Sequence, residues 1–400
     1  MSAAAASPSP ERKRPPAALL LFCALLVFSA AALKLLPAPF AWISFASAAA
    51  CLVAAAAPRR LQRRALWLNL GVIFLMLGAT EWFFSCERTE VAGTQDLVVD
   101  ADGFEPERYQ RHATLGYAPE RNVAARWKRF QGDRLVFDVT YTIDRHGLRT
   151  SPSPPSRTER CVVFLGGSFA FGAGVDDDET MPYLVGSRAP DVRAYNFAYS
   201  GYGPHQMLAA LEFGVVDQIL DCAPTHFVYV AIEDHVRRVA GKTSWGQAEP
   251  RYLLSADGTA RYSGWFNDGS WTTRKLRAQL KKSAILQRIV FERSPTRRRD
   301  VELMLATVAT ARRFAVERYP GSEFHIIYWD ADETPVTASL LAGFAGLGIP
   351  LHQASGILPR FREDIRAYEL DAHDLHPNRR AHSLLADHVA ACILHASERP

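Results

Sequence analysis

Apolar residues are concentrated near the start of the chain. Three apolar runs occupy residues 17–36, 40–57 and 65–84. Each is close to the ~20 residues that a helix needs to cross a ~30 Å hydrocarbon layer. Strongly polar side chains are rare in the third run, which contains only Asn69 and Glu81. The pattern predicts a membrane anchor of three transmembrane helices in residues 1–85, followed by a soluble part in which charge, Gly and Pro interrupt the apolar residues.

Basic residues beside these runs indicate the orientation. Arg12, Lys13 and Arg14 precede the first run, and a second cluster separates the second and third runs, namely Arg59, Arg60, Arg63 and Arg64. Because basic loops stay in the cytoplasm, the N-terminus is predicted to be cytoplasmic and everything after about residue 86 to lie outside. Two alternatives stay open. The start of the chain resembles a cleavable signal peptide, and a second run that did not cross would leave the soluble part in the cytoplasm.

The soluble part begins with a short β-rich region. Residues 86–158 are predicted to form a connector and a small β-rich subdomain, since the run at 134–143 has strand composition and ends at the turn signal Asp144-Arg-His-Gly147. The proline-rich stretch 151–156 then predicts an extended linker, because proline removes a backbone donor and favours extended backbone.

From residue 159 onward, short apolar strands alternate with helical stretches. The predicted strands occupy residues 161–165, 192–197, 226–232, 324–328 and 349–352. This alternation indicates an α/β fold with a parallel sheet and helices on both faces over residues 159–400. An insertion at about 240–300 is predicted to contain a hairpin at 252–262 and a helical run at 275–291. The last helix is predicted to begin after Asn378, a good N-cap.

The charge and the cysteine content of the chain bear on its partners and its compartment. The net charge of +4 over 400 residues is small, and the arginines are not aligned with aromatic residues, so nothing favours nucleic-acid binding. Four cysteines follow the apolar runs, in a compartment predicted to permit disulfides: Cys86, Cys161, Cys222 and Cys392. The sequence does not assign their pairing.

A glycine-flanked serine follows the first predicted strand. Gly166, Gly167 and Ser168 lie where catalytic residues collect in open α/β sheets, at the carboxyl end of a strand. A P-loop is excluded because Ala173-Gly174 stands where Lys-Ser/Thr is required. An α/β-hydrolase elbow is disfavoured because Ala170 replaces its second glycine. A generic glycine-rich turn stays open as the alternative to a nucleophile.

A carboxylate and a histidine lie close together before the last helix. In the run Asp374-Leu-His-Pro-Asn378, residues two apart in extended backbone point the same way. The Asp374 carboxylate can therefore orient one nitrogen of His376 while the other faces a substrate, as a serine nucleophile needs. His373 and His376 could instead suggest metal ligands. No matching Cys or carboxylate-His cluster supports a metal, so neither a metal nor a cofactor is predicted.

Three motifs together resemble the SGNH (GDSL-like) hydrolase superfamily. They are Gly-Gly-Ser after the first strand, Asn196-Phe-Ala-Tyr-Ser-Gly201 after the second, and Asp-x-His-Pro-Asn before the last helix. The resemblance covers roughly residues 160–395 and implies a flavodoxin-like three-layer α/β/α fold. It also implies Ser168 as nucleophile, His376 as base, Asp374 as its orienter, and the backbone N–H groups of Ser168 and Gly201 as oxyanion donors. The Asp-x-His spacing looks more like the cell-envelope branches, which include polysaccharide O-acetyltransferases.

One motif departs from the family. Where the family has Gly-x-Asn-Asp, this chain reads Ala231-Ile-Glu-Asp-His235. An ionised Glu233 only accepts hydrogen bonds and would repel an oxyanion. Either His235 or another donor substitutes, or Glu233 is protonated, or the site is weak; a simple strand cap is the remaining interpretation. The predicted lining of the site also includes Glu233, Asp234, His235 and Asn196.

These observations predict a membrane-anchored, extracytoplasmic serine esterase or O-acyltransferase (deacylase). Its substrate would be an acyl ester, with an envelope glycan or a lipid suggested only by the predicted location. Tyr199 and Tyr202 could stack on sugar rings, although core packing explains them equally well. The alternative is a catalytically impaired SGNH-like glycan-binding or scaffold module. Besides the substrate, the one partner that the sequence predicts is the lipid membrane, in which the protein would be integral.

Overall fold

The computed structural model describes most of the chain as two compact units. The described residues are 24–25, 27–29, 31–32, 36, 38–56, 61–91, 94–99, 109–152, 160–243, 248–280, 282–288 and 294–394. The first unit combines Met1–Val91 with Trp271–Glu292, and the second combines Ala92–Ser270 with Arg293–Pro400. The insertion predicted from the sequence is thus divided between them.

Helices and strands alternate along most of the described chain. The helices are α1 (Pro39–Ala56), α2 (Leu61–Val91), α3 (Ser168–Phe171), α4 (Met181–Arg188), α5 (Pro204–Glu212), α6 (His235–Val239), α7 (Trp271–Leu280), α8 (Ala284–Leu286), α9 (Arg298–Arg318), α10 (Pro335–Gly346), α11 (Ala354–Ile357) and α12 (Arg379–His388). The strands are β1 (Thr94–Val99), β2 (Tyr109–His112), β3 (Gly116–Pro119), β4 (Val123–Gln131), β5 (Arg134–Ile143), β6 (Arg160–Gly166), β7 (Val192–Asn196), β8 (Ala223–Ala231), β9 (Pro250–Leu254), β10 (Ala260–Trp265), β11 (Glu323–Tyr328), β12 (Leu351–Gln353), β13 (Glu369–Asp371) and β14 (Asp374–Pro377).

The first unit contains two apolar helices. By length and composition, Pro39–Ala56 and Arg64–Cys86 could each cross a membrane, and they correspond to the second and third predicted spans. Most of the first predicted span, residues 17–36, lies outside the described residues. The two helices approach closely at Gly78, where an added Cβ would lie 2.6 Å from the ring of Phe45. Small residues permit such approach between apolar helices.

An acidic residue inside the apolar helix α2 caps a second helix. Glu81 is buried and accepts hydrogen bonds from the hydroxyl of Ser283 (2.9 Å) and the backbone amides of Ala284 (2.5 Å) and Ile285 (3.1 Å). A helix N-terminus presents amides that lack intrahelical acceptors, so a carboxylate there satisfies them. The carboxylate therefore joins α2 to α8, in the helical run predicted at 275–291.

The second unit is built on a five-stranded parallel sheet. The strand order is β12-β11-β8-β6-β7, which is the flavodoxin-like order 2-1-3-4-5 when the strands are numbered along the chain. All five predicted strands are present, with bounds shifted by at most three residues. The sequence-based prediction of a parallel α/β sheet is confirmed.

The helices of this unit form two groups. Helix α12 contacts α4, whereas α9 contacts α5 and α10. Because the chain crosses from β6 to β7 in one direction and then to β8, β11 and β12 in the other, right-handed crossovers place the two groups on opposite faces. The N-cap prediction at Asn378 is confirmed, since its side chain accepts from the amides of Arg380 and Ala381.

A small antiparallel sheet packs beside the turn that carries Ser168. Its order is β1-β4-β5, and β5 has the bounds predicted from the sequence. Tyr141 on β5 makes an edge contact with Phe171 at 5.3 Å between ring centroids, and its hydroxyl accepts a hydrogen bond from the amide of Gly174 (2.6 Å). This sheet therefore supports the loop that follows Ser168. Strands β9 and β10 form the hairpin that the sequence predicts.

Candidate active site

Ser168 begins a short helical turn at the carboxyl end of β6. Two glycines precede it because neighbouring atoms leave no room for side chains. Gly166 has a φ of +146°, and an added Cβ would lie 2.9 Å from the carbonyl oxygen of Val230. At Gly167 an added Cβ would lie 2.8 Å from a guanidinium nitrogen of Arg238. The Gly-Gly-Ser motif thus brings a nearly buried hydroxyl against the backbone of the sheet.

The three residues predicted as a triad lie within hydrogen-bonding distance of one another. The Oγ of Ser168 lies 2.8 Å from Nε2 of His376. The Nδ1 of the same ring lies 2.5 Å from Oδ1 of Asp374. With Nδ1–H donating to Asp374, Nε2 is free to accept the serine proton. Residues 208 positions apart in the sequence are therefore brought together in the order that nucleophilic catalysis requires.

The Asp374 carboxylate is held ionised. It is buried, and its second oxygen accepts a hydrogen bond from Nη1 of Arg129 at 2.6 Å. Burial alone would raise the pKa of Asp374, but the hydrogen bond to His376 and the charges of His376 and Arg129 outweigh it and lower the pKa to about 2. The carboxylate that orients His376 is therefore charged at any ordinary pH.

Arg129 is a site residue that the sequence did not reveal. Its guanidinium lies over the rings of Trp127 and Phe137, with 5.2 Å to each centroid. These contacts fix its planar head in the position that reaches Asp374. The only available signal was the alternation of Trp127 and Arg129, which lie on the same face of one strand.

A buried arginine, Arg149, supports the loop that follows Ser168. Arg149 donates to the backbone carbonyls of Phe171 (3.0 Å), Gly172 (2.5 Å) and Val175 (2.7 Å). Its Nε also donates to Asp177 at 2.9 Å. Because these carbonyls follow directly on the Ser168 turn, their satisfaction keeps that turn in one conformation.

The triad opens into a cavity of about 480 Å³. Aromatic and cationic side chains dominate its lining, together with the triad and small residues. The lining residues are Tyr117, Trp127, Arg129, Phe137, Ser168, Ala173, Tyr199, Ser200, Gly201, Arg238, Ala248, Asp374 and His376. Ser168 and Gly201, the two residues predicted to supply oxyanion-binding amides, both line this cavity.

The residues that depart from the family motif lie outside the cavity lining. The Glu233 carboxylate accepts hydrogen bonds from the hydroxyls of Thr334 and Thr337, the latter at 2.7 Å. Asp234 forms an ion pair with Arg238 at 2.8 Å. Their side chains thus serve the N-terminus of α10 and the positioning of Arg238, and they do not face the reacting atoms.

His235 and Arg238 lie next to each other behind Gly167, but only Arg238 lines the cavity. The His235 ring is buried, and its Nδ1 lies 2.6 Å from the hydroxyl of Tyr229. Burial and the charge of Arg238 lower the pKa of His235 well below its usual value. Arg238 donates from Nε to Asp234 and from Nη1 to the carbonyl of Tyr202, each at 2.8 Å. A cation therefore lines the cavity beside Gly167.

Asn196 acts on the backbone around the site. It is buried, its amide donates to the carbonyls of Ala170 (3.3 Å) and Phe171 (3.4 Å), and its Oδ1 accepts from the amide of Ala198 (3.2 Å). It does not line the cavity. It connects the Ser168 turn to the loop that carries Gly201.

The two tyrosines considered for sugar stacking have different positions. Tyr199 lines the cavity. Tyr202 is buried in the core, and its hydroxyl donates to the carbonyl of Tyr117 at 2.6 Å. Only Tyr199 is therefore available to a ligand in the cavity.

No protein-family model matches this sequence, and no curated protein matches it either. Solved structures resemble it at low identity. A lipolytic G-D-S-L family protein from Veillonella parvula DSM 2008 is 15% identical over 58% of this chain and 98% of its own, with a TM-score of 0.34. A carbohydrate esterase family 2 enzyme from Corynascus thermopiles is 14% identical over 62% and 69%, with a TM-score of 0.32.

An acetyl xylan esterase from the rumen bacterium Butyrivibrio proteoclasticus is 9% identical over 69% of this chain and 70% of its own, with a TM-score of 0.35. These values are too low to carry a functional inference, which rests on the geometry of the site. The strand order, the serine after the first strand and the Asp-x-His pair before the last helix give the second unit an SGNH hydrolase-like fold.

Proposed function

We propose that this protein is a membrane-anchored serine esterase or O-acyltransferase that acts on ester-linked acyl groups. The observation that carries the proposal is the continuous chain of contacts from Asp374 through His376 to Ser168, at 2.5 Å and 2.8 Å, at the edge of an aromatic-lined cavity. A generic glycine-rich turn would not need an oriented imidazole within hydrogen-bonding distance of the serine.

The proposed reaction follows from these contacts. His376 Nε2 takes the hydroxyl proton of Ser168 while Oγ forms a bond to the carbonyl carbon of the ester. Collapse of the tetrahedral intermediate breaks the ester C–O bond, and His376 returns the proton to the leaving alkoxide. An acyl group then remains on Ser168. Water or an acceptor hydroxyl, deprotonated by the same imidazole, removes it, and the choice between them separates an esterase from a transferase.

The oxyanion would be bound by two amides and a cation. The backbone N–H groups of Ser168 and Gly201 belong to residues at the nucleophile end of the cavity. Arg238 lines the same cavity, and a Cβ added at the neighbouring Gly167 would come within 2.8 Å of its guanidinium. A positive group near the developing negative charge compensates for the missing asparagine amide.

The cavity suits a sugar-bearing ester. Tyr117, Trp127, Phe137 and Tyr199 provide apolar faces of the kind that sugar rings stack on. The indole N–H of Trp127 is buried without a hydrogen-bond partner among the described residues, so a substrate hydroxyl or carbonyl could satisfy it. We therefore favour an acylated glycan over a purely aliphatic lipid as substrate.

Two observations support an extracytoplasmic location. The helices α1 and α2 have the length and composition of membrane spans, and the basic clusters before the first apolar run and between the second and third favour a cytoplasmic N-terminus. Cys161 and Cys222 form a disulfide, and disulfides persist in oxidising compartments.

The alternative function, an impaired glycan-binding or scaffold module, rests on Glu233. Its carboxylate accepts from Thr334 and Thr337 and does not line the cavity. These contacts give no support to a disabled site, and we favour the enzyme.

A fluorophosphonate probe tests the proposal on the full-length protein in detergent. We expect labelling at Ser168, and losses of about 10⁴-fold or more in labelling rate for Ser168→Ala and His376→Ala. Ser200→Ala is the matched control, because Ser200 is a second serine in the same cavity and its described contact uses the backbone carbonyl. In intact cells, a membrane-impermeant form of the probe should label the parent protein.

Parental labelling of Ser168→Ala would contradict the nucleophile, provided thermal unfolding shows that the variant is folded. Labelling that appears only after cell lysis would contradict the orientation while leaving the chemistry intact.

A further inference from the structure

A second cluster of histidines and a carboxylate lies at the opposite end of the same sheet, towards the amino ends of the strands. It contains His226 on β8, Glu323 and His325 on β11, His352 on β12, and His388 at the end of α12. His226 and His325 are buried, whereas Glu323 keeps 46% of its side chain exposed. The proposed catalytic chemistry uses none of these residues.

Strand register brings the cluster together. Glu323 is the direct partner of His226 across the β11–β8 pair. His325 follows Glu323 by two residues, so both side chains lie on the same face of the sheet. Register also pairs Val162 with His226, and Gly166 with Val230. The cluster is thus about 13 Å, or four strand residues, from the end of β6, where the Ser168 turn begins.

The distances suit a tetrahedral metal ion. One ligand atom from each of His226, Glu323 and His325 lies within 4.8 Å of the other two. Within that set, Nε2 of His325 and Oε2 of Glu323 are 3.1 Å apart. Zinc bonds of about 2.0–2.1 Å place neighbouring ligand atoms roughly 3.3 Å apart. Two of the three atoms are already near that separation, and the ligand atom of His226 lies within 4.8 Å of both.

A relay of imidazoles orients the proposed ligand His325. Its Nδ1 lies 3.1 Å from Nε2 of His352, whose Nδ1 lies 2.8 Å from Nε2 of His388. A histidine that binds metal through one nitrogen usually donates its other N–H to an acceptor. His352 can accept a hydrogen bond from Nδ1–H of His325 and can donate one from its own Nδ1–H to His388. His325 can then present the lone pair of Nε2 to a metal ion. His226 is also oriented by neighbours, since its Nδ1 lies 2.9 Å from the hydroxyl of Thr225 and its ring is hydrogen-bonded to the backbone of Ile393.

The three side chains offer donor atoms that zinc commonly binds. Imidazole nitrogen and carboxylate oxygen both occur as zinc ligands. Glu323, about half exposed, leaves access for the ion and for a water ligand.

We propose that His226, Glu323 and His325 bind a divalent transition-metal ion, with Zn²⁺ the best match to two imidazoles, one carboxylate and a water. Such an ion would join β8 to β11 and, through the His352–His388 relay, would reach the end of α12. The proposed role of the ion is therefore to stabilise the sheet at the amino ends of its strands, about 13 Å from the turn that carries Ser168.

The test uses tag-free full-length protein in detergent, stripped with a chelator and dialysed against Zn²⁺. We expect about one equivalent of retained zinc by elemental analysis, and a rise of several degrees in the unfolding midpoint on zinc addition. His325→Gln and Glu323→Gln should each lower retained zinc at least tenfold. His146→Gln, at a histidine on the loop after β5, is the matched control and should retain the parental amount.

The variant Glu323→Gln is still informative if replacing a buried histidine unfolds the protein, because the Glu323 side chain is about half exposed. Retention below about a tenth of an equivalent by the parent, or equal retention by parent and folded Glu323→Gln, would overturn the proposal in favour of a hydrogen-bonded cluster without metal. Fluorophosphonate labelling measured on the same samples separates this outcome from a failure of the proposed esterase function, because Glu323→Gln should label at the parental rate.

Discussion

Two of the carboxylate-x-His pairs in the chain lie at opposite ends of the parallel sheet. Asp374-Leu-His376 lies beside the carboxyl end of β6, and Glu323-Phe-His325 begins β11 at the amino end. In the first pair the carboxylate lies against Nδ1, and Nε2 faces the hydroxyl of Ser168. In the second, the carboxylate lies against Nε2, and Nδ1 faces another imidazole, that of His352.

The comparison shows that the spacing does not define the chemistry. A carboxylate on Nδ1 orients Nε2 towards a nucleophile and makes the ring a base. A carboxylate on Nε2, with an acceptor on Nδ1, gives instead a carboxylate-imidazole set with metal-binding geometry. Position adds to this difference, because substrates in open α/β sheets bind at the carboxyl ends of the strands.

The largest expected difference in activity is between variants that neutralise one or the other of these two carboxylates. Asp374→Asn should lower kcat/KM for a simple acyl ester about 10⁴-fold, since the amide favours the wrong tautomer of His376. Glu323→Gln should leave kcat/KM within about twofold, because Glu323 contacts His325 and not the residues of the proposed triad. Steady-state ester hydrolysis by the two purified variants measures both. Comparable losses in the two would show that the ends of the sheet are not chemically independent.

A cation in the cavity is a second difference between the two ends. Arg238→Gln should lower kcat by about 10²- to 10³-fold with little change in KM, which is the usual effect of removing one oxyanion-binding group. Arg237→Gln is the matched control, because Arg237 is its neighbour on α6 and donates instead to the carbonyl of Ser294. A change confined to KM would indicate that Arg238 binds substrate and does not stabilise the transition state.

The smallest expected effect concerns the support of Asp374. In Arg129→Met the carboxylate loses a charge and a hydrogen bond that keep its pKa near 2. The pKa of Asp374 should then rise, kcat/KM should fall about tenfold, and the acid limb of the pH profile should move to higher pH. Arg126→Met on the same strand removes an exposed pair with Asp138 and should leave the profile unchanged.

The sign of the stability change follows from the same pKa. Because the folded-state pKa of Asp374 lies below the unfolded value of about 3.9, its contribution to stability is present above that pH. It is lost as pH falls towards 2. Replacing Arg129 should therefore lower the unfolding midpoint at neutral pH and have less effect in strong acid. An equal loss at both extremes would mean that Arg129 acts only through packing.

Much of the fold could be predicted from local pattern. Each strand of the parallel sheet is a short apolar run between helical stretches, and such periodicity depends only on neighbouring residues. The Gly-Gly-Ser turn and the Asn378 cap could be predicted for the same reason. The domain boundaries at 85 and 158 stay predictions, and so does the number of membrane spans.

Arg129 and Arg238 could not be found in this way. Each is one of 46 basic residues, and what distinguishes it is a partner far along the chain. Arg129 meets a carboxylate 245 positions away, and the Arg238 guanidinium reaches the carbonyl of Tyr202. His226 and Glu323 likewise become neighbours only through strand register.

The sequence by itself determined which segments are apolar, where strands and helices alternate, and that a serine and an Asp-x-His pair occupy the turns of such a fold. Tertiary structure alone decided which ring nitrogen each carboxylate contacts, which cations line the cavity, and that Glu233 contacts a helix terminus. The physical reason is that periodicity and turn chemistry act over a few residues, whereas hydrogen-bond partners and burial are set by contacts between segments that the chain brings together from far apart.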